Sequence, residues 1–476
     1  MKSCASRCRR LLRHACGARL AWPVVLLVWA VPEAWSQTPA PGDSAGVPGA
    51  GADSLCVPLG PAPPSDARQA TDGLPEKGPG GLAKAPRVAT DQTVDAVRWV
   101  ARRRQLTVGG VPYGFTGLPI FYYSPHTGWN YGARVQWTDY RRLPYRYKLT
   151  VHSLHSTYNR SDSYVRLTVP RISGTQFGVS LLLGHKRDIR ARYYGKGNDS
   201  VRRPALLDPD SPRFLDEEYY CYVLEVPRVI LALMRHVCGP VTVAAVAGGE
   251  SPSISARGSR AYYLDEGTPD GVRDGPTGFV GMAIDWDTRD DETIPRRGTF
   301  HEWSFETSRN SVLALFFAEI DYRRYTFTDA RYWPLTERLN LAHRSVFEVL
   351  DGSVPLYAYG EIGGAQRRIK GLGGGDSLRG YDTQRFTDNV RFFTNTELRY
   401  HMASSAVYRQ NLEWHGALFV DTGRVWPDLD ALTIAGLHAT GGVGLRVYWN
   451  ADFVVQTAMA VSSEQLYFSL KYRNIF

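Results

Sequence analysis

The segment Leu466-Tyr467-Phe468-Ser469-Leu470-Lys471-Tyr472-Arg473-Asn474-Ile475-Phe476 decides the fold. Apolar or aromatic residues alternate with polar ones, which is the period of a β-strand. Four residues are expected on one face of this strand: Phe468, Leu470, Tyr472 and Phe476. In a closed barrel the last strand pairs with the first, so a strand that runs to the final residue needs no tail. We therefore interpret the segment as the closing strand of a barrel and these four residues as its C-terminal assembly signal.

The same alternation recurs from Gln105 to the end of the chain, with turn residues between the alternating segments. The polar positions carry Arg, Lys, Glu and His, which suits a water-filled lumen. Tyr and Trp recur near the strand ends, as in the aromatic girdles of membrane barrels. A soluble all-β sandwich or propeller is the alternative. At roughly 10 residues per tilted strand, we predict an all-β fold: a transmembrane antiparallel β-barrel of about 16 strands over residues 105–476.

The first 36 residues have the pattern of a secretory signal peptide. A basic segment precedes a short apolar run at 21–31, and Ala34-Trp35-Ser36 is a small-x-small cleavage pattern. An N-terminal membrane anchor is the alternative. Removal of residues 1–36 lowers the formal net charge from +9 to +4, so the basic balance is no evidence for nucleic-acid binding.

Within residues 37–104, the stretch 37–85 is rich in Pro, Gly, Ala and Ser. Such a composition buries too little apolar surface to order itself, so we interpret residues 37–104 as a disordered linker with a short helix at 91–104. Outside the leader, the cysteines are Cys56, Cys221 and Cys238, without metal-ligand spacing. Cys221 and Cys238 either face each other across a hairpin or are buried free thiols.

Motifs for enzymatic chemistry are weak. Gly375-Asp376-Ser377-Leu378 matches a serine-esterase tetrapeptide, but it lies late in the chain. The last histidine, His438, has Ala435 three residues before it, where those enzymes have an aspartate. A nucleophile without an oriented base has little catalytic value. We predict no enzymatic activity, no cofactor and no metal site.

A glycine-rich stretch, Gly371-Leu372-Gly373-Gly374-Gly375-Asp376-Ser377-Leu378-Arg379-Gly380-Tyr381, lies between two alternating segments. It is too flexible for a strand interior and predicts a long loop that folds back and places one cation. With this loop and Phe476, the C-terminal three-quarters of the chain resembles the BamA/TamA-like barrels, the bacterial surface antigen or outer-membrane protein eighty-five superfamily. Leu378-Arg379-Gly380-Tyr381 is similar to the family signature on an extracellular loop that enters the lumen. Phe419-Val420-Asp421-Thr422-Gly423 is similar to the family's Phe-x-Asp-x-Gly strand.

The resemblance implies that Arg379 lies against Asp421. Independently, Asp421 and Glu397 fall on the polar faces of their strands. An arginine in a partly desolvated lumen needs carboxylate partners. We therefore hypothesise that these three residues pin the loop inside the barrel, in a clamp completed by Gly380, Tyr381 and Phe419. The alternative is an exposed loop with a solvated arginine.

The resemblance also implies an integral protein of the cell outer membrane, in contact with its lipid and inserted by the barrel assembly machinery. Assembly members of the family carry polypeptide-transport-associated repeats before the barrel, and the segment 37–104 is predicted to have no room for one. The expected function is that of a reduced factor for insertion or translocation of outer-membrane components. It would act on client outer-membrane proteins through a weak seam between its first and last strands. The alternative is a passive channel or structural surface barrel, plugged by the loop at 371–381.

Overall fold

The computed structural model describes residues 105–124, 127–142, 144–267, 274–309, 320–407, 410–450, 453–472 and 476. The predicted leader, the predicted linker with its helix, and Cys56 lie outside these ranges. The helical elements in the described ranges are single turns: a 3-10 turn at Pro204–Leu206, α1 at Tyr262–Asp265 and α2 at Leu356–Tyr359. None of the helices described here has the length and apolar character needed to cross a membrane.

Antiparallel strands join into one eighteen-stranded sheet. In chain order they are β1 (Gln105–Val108), β2 (Val111–Ser124), β3 (Gly128–Asp139), β4 (Tyr147–Ser156), β5 (Ser161–Val169), β6 (Phe177–Arg192), β7 (Cys221–Cys238), β8 (Val241–Glu250), β9 (Ser253–Ala256), β10 (Thr277–Asp287), β11 (Gly298–Thr307), β12 (Tyr322–Pro334), β13 (Leu339–Gly352), β16 (Val390–Val407), β17 (Gln410–Trp426), β18 (His438–Trp449), β19 (Phe453–Val461) and β20 (Leu466–Lys471). A separate two-stranded hairpin is formed by β14 (Glu361–Ile362) and β15 (Ile369–Lys370).

The sheet curls into a barrel whose wall follows the order of the chain. Both β8 and β9 lie beside β7 and continue one another as a single wall strand. The four residues of β1 pair only with the start of β2. With β9 counted with β8 and β1 left aside, the described wall has sixteen strands, as the sequence predicts. One cavity of about 1530 Å³ is lined by residues of β3 to β8 and also by β20, so the last strand lies close to the first ones.

Alternate side chains of the wall point outward, and many of them are large and apolar. In β10, Met282 is 49% and Trp286 is 41% exposed, and in β17, Leu418 is 59% and Val420 is 54% exposed. Soluble proteins rarely expose apolar surface on this scale, whereas an apolar exterior around a polar interior is what a membrane barrel requires. The prediction of an all-β, transmembrane antiparallel barrel is confirmed.

The two rims of the barrel differ in the length of their connections. One rim, here the long-loop rim, carries the segments 193–220, 257–267, 353–389 and 427–437. The other, the short-turn rim, carries turns such as 239–240 and 335–338. Exposed aromatic side chains stand at both rims, with Tyr123 and Trp129 at the first and Trp286 and Trp333 at the second. This is the predicted girdle arrangement.

The end of the chain departs from the predicted closing strand. β20 ends at Lys471, where the alternation predicts a strand to the final residue. Phe468 is 68% exposed, whereas the Phe476 ring lies 6.3 Å from that of Tyr332 in an otherwise buried apolar cluster. The prediction that the four terminal residues share one face is therefore wrong. The reason is tertiary, because the lumen offers the last ring a cationic and aromatic site that alternation along one strand does not reveal.

Cys221 and Cys238 are the first and last residues of β7. Two ends of one extended strand cannot face each other, so the predicted hairpin alternative is wrong. Cys221 is a buried free thiol, whereas Cys238 is exposed.

Candidate functional site

The connection between β13 and β16, residues 353–389, is folded into the barrel lumen, and we call it the lumenal loop. It contains α2, the β14–β15 hairpin and the glycine-rich stretch 371–381, every residue of which is buried. Its apolar side chains form a core with residues of the wall: Val346, Ile362, Leu372, Leu378, Tyr381, Phe386, Phe393 and Val425. The loop is thus a packed plug and not the exposed coil of the alternative.

Glycine is required where this stretch reverses direction. Gly373 and Gly380 have φ angles of 111° and 104°, which side chains other than glycine rarely adopt. A Cβ at Gly373 would lie 2.2 Å from the carbonyl oxygen of Asp382. The carbonyl of Gly380 accepts a hydrogen bond of 2.7 Å from the Ser462 hydroxyl, which ties the reversal to the turn between β19 and β20.

The guanidinium of Arg379 is held by two carboxylates of the wall. Its Nε and Nη2 donate to Asp421 Oδ2 and Oδ1, each at 2.7 Å, and its Nη1 donates to Glu397 Oε1 at 2.7 Å. The backbone N–H of Arg379 also donates to Asp421 Oδ2 at 3.1 Å. The ring of Phe419 lies 3.4 Å from the guanidinium carbon. All three charged side chains are at most 1% exposed, so this is a bidentate, charge-assisted contact in a dry environment.

The carboxylates of this clamp have further partners. Glu397 also accepts hydrogen bonds from Arg446 Nη2 at 2.6 Å and from Arg399 Nε at 2.8 Å. Asp421 also accepts one from Asn395 Nδ2 at 2.7 Å. Asn395 and Arg399 share the alternation of Glu397 along β16, whereas no sequence signal indicates that Arg446 of β18 joins them. The clamp is therefore part of a larger buried network.

The last residue of the chain reaches the same network. Arg399 Nη2 lies 3.4 Å from the backbone carbonyl oxygen of Phe476, and the guanidinium carbons of Arg399 and Arg344 lie 4.7 and 5.0 Å from its ring. Arg344 in turn donates to the carbonyl of Asp376 in the loop at 2.7 Å. Of the other predicted terminal residues, Leu470 and Tyr472 are half-buried. Their role as an assembly signal stays a prediction.

A second anchor holds the loop near the long-loop rim. Asp382 pairs with Arg192 at 2.5 Å and accepts hydrogen bonds from the Tyr194 hydroxyl at 2.9 Å and Gln465 Nε2 at 3.2 Å. Burial by itself would raise the pKa of Asp382, but the charge of Arg192 and these hydrogen bonds outweigh it and lower the pKa. The Tyr381 hydroxyl lies 2.9 Å from the Ser463 hydroxyl in the β19–β20 turn. Sequence reasoning had singled out only Tyr381 of this group.

The β14–β15 hairpin forms a third set of contacts, across the lumen. Arg368 pairs with Glu250 at 2.6 Å and Glu306 at 2.8 Å, and Lys370 pairs with Asp188 at 2.8 Å. These partners come from β6, β8 and β11, far from the loop in sequence. Alternation marks each of them as lumen-facing, but only the curvature of the sheet brings them to one hairpin.

Two other groups of functional residue types lie in or near this region. The hydroxyl of Ser377, in the esterase-like tetrapeptide, donates to the carbonyl of Gly371 and accepts from the N–H of Gly373, each at 3.0 Å, so it holds the shape of the loop.

At the short-turn ends of β16 and β17, three potential ligand atoms lie within 4.8 Å of one another: those of His401, Glu413 and His415. Two imidazoles and a carboxylate form a donor set that Zn²⁺ accepts. Sequence reasoning had not singled out this cluster, and the absence of a metal stays a prediction.

A match to one protein-family model agrees with the resemblance read from the sequence. Residues 253–453, which include the lumenal loop, Glu397 and Asp421, match the Omp85 superfamily domain. No match is found among curated proteins. Among solved structures, BamA from Haemophilus ducreyi lacking POTRA domains 1-3 aligns with a TM-score of 0.46 at 14% identity, over 76% of this chain and 69% of that one. CdiB from Escherichia coli aligns with a TM-score of 0.45 at 12% identity, over 77% of this chain and 63% of that one, which is less than two thirds of its length.

Proposed function

We propose, on the premise that the chain carries an Omp85 superfamily domain, that it is an integral outer-membrane barrel that helps insert or translocate outer-membrane components. Its own insertion would depend on the barrel assembly machinery, and its outer face would contact outer-membrane lipid. The clients would be other outer-membrane proteins. The observation that carries this proposal is the seam between the first and last wall strands.

The seam is not joined by a ladder of backbone hydrogen bonds in the part of the chain that the structure describes. Every other neighbouring pair of wall strands has a register, but none joins β2 to β20 there. Contacts at the seam come from side chains: Arg134 Nη1 donates to the Tyr472 carbonyl at 3.0 Å, and the rings of Tyr122 and Tyr472 are 6.5 Å apart. On the outer edge of β2, β1 covers only residues 111–114.

An open seam of this kind has a physical use. Unpaired backbone groups at a sheet edge are a template for another strand, and their cost is highest in a bilayer, where no water replaces the lost hydrogen bonds. A client strand that pairs with β2 or β20 would satisfy these groups. The placement of Phe476 in the lumen supports this mechanism, because it draws the end of the chain away from β2.

The clamp supports the same proposal in a different way. A plug held by Arg379, Glu397 and Asp421 would keep its part of the lumen filled while the seam opens, so that strand exchange need not create an open pore. We propose this plugging role for the clamp. The second candidate, a passive channel, is favoured by the cavity of about 1530 Å³ that lies beside the lumenal loop.

Photo-crosslinking at the seam tests the proposal. A photoreactive amino acid replaces Phe468 on the outer face of β20, and in a matched control it replaces Met282 on the outer face of β10, away from the seam. These side chains are 68% and 49% exposed. A templating barrel should give client adducts from position 468 and few from position 282, and depletion of the protein should lower the amount of other barrels in the membrane.

A channel predicts a different pattern. Positions 468 and 282 would then give the same background of adducts, and depletion would leave other barrels unchanged. Deletion of residues 371–381 would raise the conductance of planar bilayers. Equal adducts at both positions together with unchanged barrel levels would exclude the insertion proposal.

A further inference from the structure

The cavity beside the lumenal loop has a strong excess of positive charge. Its lining includes thirteen Arg and Lys side chains against eight Asp and Glu side chains. The excess of five matters because a wet cavity with walls of low dielectric concentrates the potential of the charges that line it. The lining therefore favours anions over cations.

Seven of the eight carboxylates in the lining are engaged in ion pairs. The excess positive charge is therefore concentrated on the cations of the lining that have no such pair. The seven pairs are Asp188–Lys370, Glu361–Arg228, Asp285–Arg367, Asp287–Arg289, Glu292–Lys148, Asp376–Lys471 and Asp382–Arg192. Four cations of the lining have no ion pair with a carboxylate in the described residues: Arg134, Arg160, Arg166 and Arg171. We call these four residues the arginine column.

The arginine column follows one part of the wall from rim to rim. Arg160 directly precedes β5 near the long-loop rim, Arg166 lies within β5, and Arg171 follows β5 near the short-turn rim. Arg134 of β3 is two strands away, where it stands opposite His152 of β4 in the strand register. Among the described residues its contacts are with the Tyr472 carbonyl and the Phe453 ring, and neither of them is a carboxylate.

We propose that the arginine column binds anions that carry phosphate groups. A guanidinium presents parallel N–H donors that match two phosphate oxygens, and Arg and Lys side chains select for anions and phosphate where they line pores. The site is separate from the clamp, whose arginines have carboxylate partners. The proposal does not depend on insertion activity.

Two sources of phosphate have access to this wall. A soluble phosphate would enter through a rim of the barrel. A phospholipid headgroup would enter through the seam, because Arg134 contacts Tyr472 there. The shared chemistry is the phosphate, and the experiment separates the two sources.

Calorimetric titration of the full chain in a zwitterionic detergent tests the proposal, with sodium pyrophosphate as the first probe. The wild type should bind in a saturable manner that weakens as KCl is raised. Arg134→Gln with Arg166→Gln should lower the affinity at least about tenfold, since each tenfold step corresponds to about 1.4 kcal/mol. Arg134→Lys with Arg166→Lys keeps both charges and should retain most of the binding. The matched control is Arg213→Gln, an exposed position in the loop 193–220, which should bind as the wild type does.

The second probe is phosphatidic acid in the same detergent micelles. Binding of the lipid but not of pyrophosphate would assign the site to headgroups that enter through the seam. Heat-dependent gel migration checks that each variant is a folded barrel. The proposal is overturned if the wild type binds neither probe, or if the glutamine variant binds both as tightly as the wild type. Client crosslinking from position 468 is measured on the wild type and on Arg166→Gln alone, which keeps the contact of Arg134 with Tyr472 at the seam, so a failure of anion binding is distinguishable from a failure of the insertion proposal.

Discussion

Removal of the clamp arginine should be among the most damaging single substitutions in the lumen. Arg379→Ala deletes three side-chain hydrogen bonds of 2.7 Å and the contact with the Phe419 ring. Asp421 then keeps only Asn395 Nδ2 and the backbone N–H of residue 379, whereas Glu397 keeps Arg399 and Arg446. The damage thus falls mainly on Asp421, whose carboxylate stays buried but loses its one ion pair among the described residues.

The expected magnitude follows from that imbalance. Loss of one partner of a buried ion pair costs about 3–5 kcal/mol, most of it from the charge that remains. We expect the free energy of unfolding of Arg379→Ala to fall by this amount. Asp421→Asn in the same background should recover part of the loss, because it removes the unpaired charge. The control, Arg323→Ala, breaks an ion pair of 2.9 Å with Asp351 whose side chains are 35% and 55% exposed, and should cost below about 1 kcal/mol.

The assay is urea unfolding in detergent micelles, followed by tryptophan fluorescence, with trypsin cleavage of the lumenal loop as a second readout. Arg367 and Arg368 lie in that loop, and trypsin should cut there faster in Arg379→Ala than in Arg323→Ala. If both variants unfold at the same urea concentration and resist trypsin equally, the clamp does not hold the loop, and the reasoning from buried charge is refuted.

Three further substitutions or conditions test the other anchors of the loop. Gly373→Ala places a Cβ 2.2 Å from the Asp382 carbonyl at a φ of 111°, so heat-resistant gel migration should be lost, and a wild-type migration would contradict the predicted backbone strain. Tyr381→Phe removes the contact of its hydroxyl with Ser463, 2.9 Å away, and should lower the free energy of unfolding by about 1 kcal/mol; an unchanged urea midpoint would show that water replaces it. The pKa of Asp382 is lowered in the folded chain, so its contribution to stability is fully present above the unfolded pKa of about 4 and is lost as the pH falls from there through the lower pKa of the folded chain. Trypsin should therefore cleave the lumenal loop of the wild type faster after preincubation at pH 3 than after preincubation at pH 6. This difference in cleavage rate should be smaller in Asp382→Asn.

The fold could largely be predicted from the alternation of apolar and polar residues. The clamp could be predicted from the motif Leu378-Arg379-Gly380-Tyr381. Period-two alternation identifies which residues of β16 and β17 face the lumen, and so it places Glu397 and Asp421 on the correct side without knowledge of any contact. Arg379 is the one cation in the glycine-rich stretch. A buried arginine needs carboxylate partners, and the polar faces of β16 and β17 offer few carboxylates.

Alternation failed where strands end or where the sheet curves. It predicted that Phe476 shares the face of Phe468, but the final ring lies beside Tyr332 in the lumen. It gave no sign that Arg446 of β18 reaches Glu397 of β16, because contacts across a barrel interior depend on strand stagger and wall curvature.

The sequence by itself determined the all-β class and the alternation of apolar and polar faces, and it singled out Arg379, Glu397 and Asp421, since each of these depends on side-chain type at short spacing. Only the tertiary structure decided the rest: the state of the seam, the three anchors of the lumenal loop and the excess of arginine along β5. These arise where residues hundreds of positions apart are brought within a few ångströms by closure of the sheet, and no local period of the chain encodes that distance.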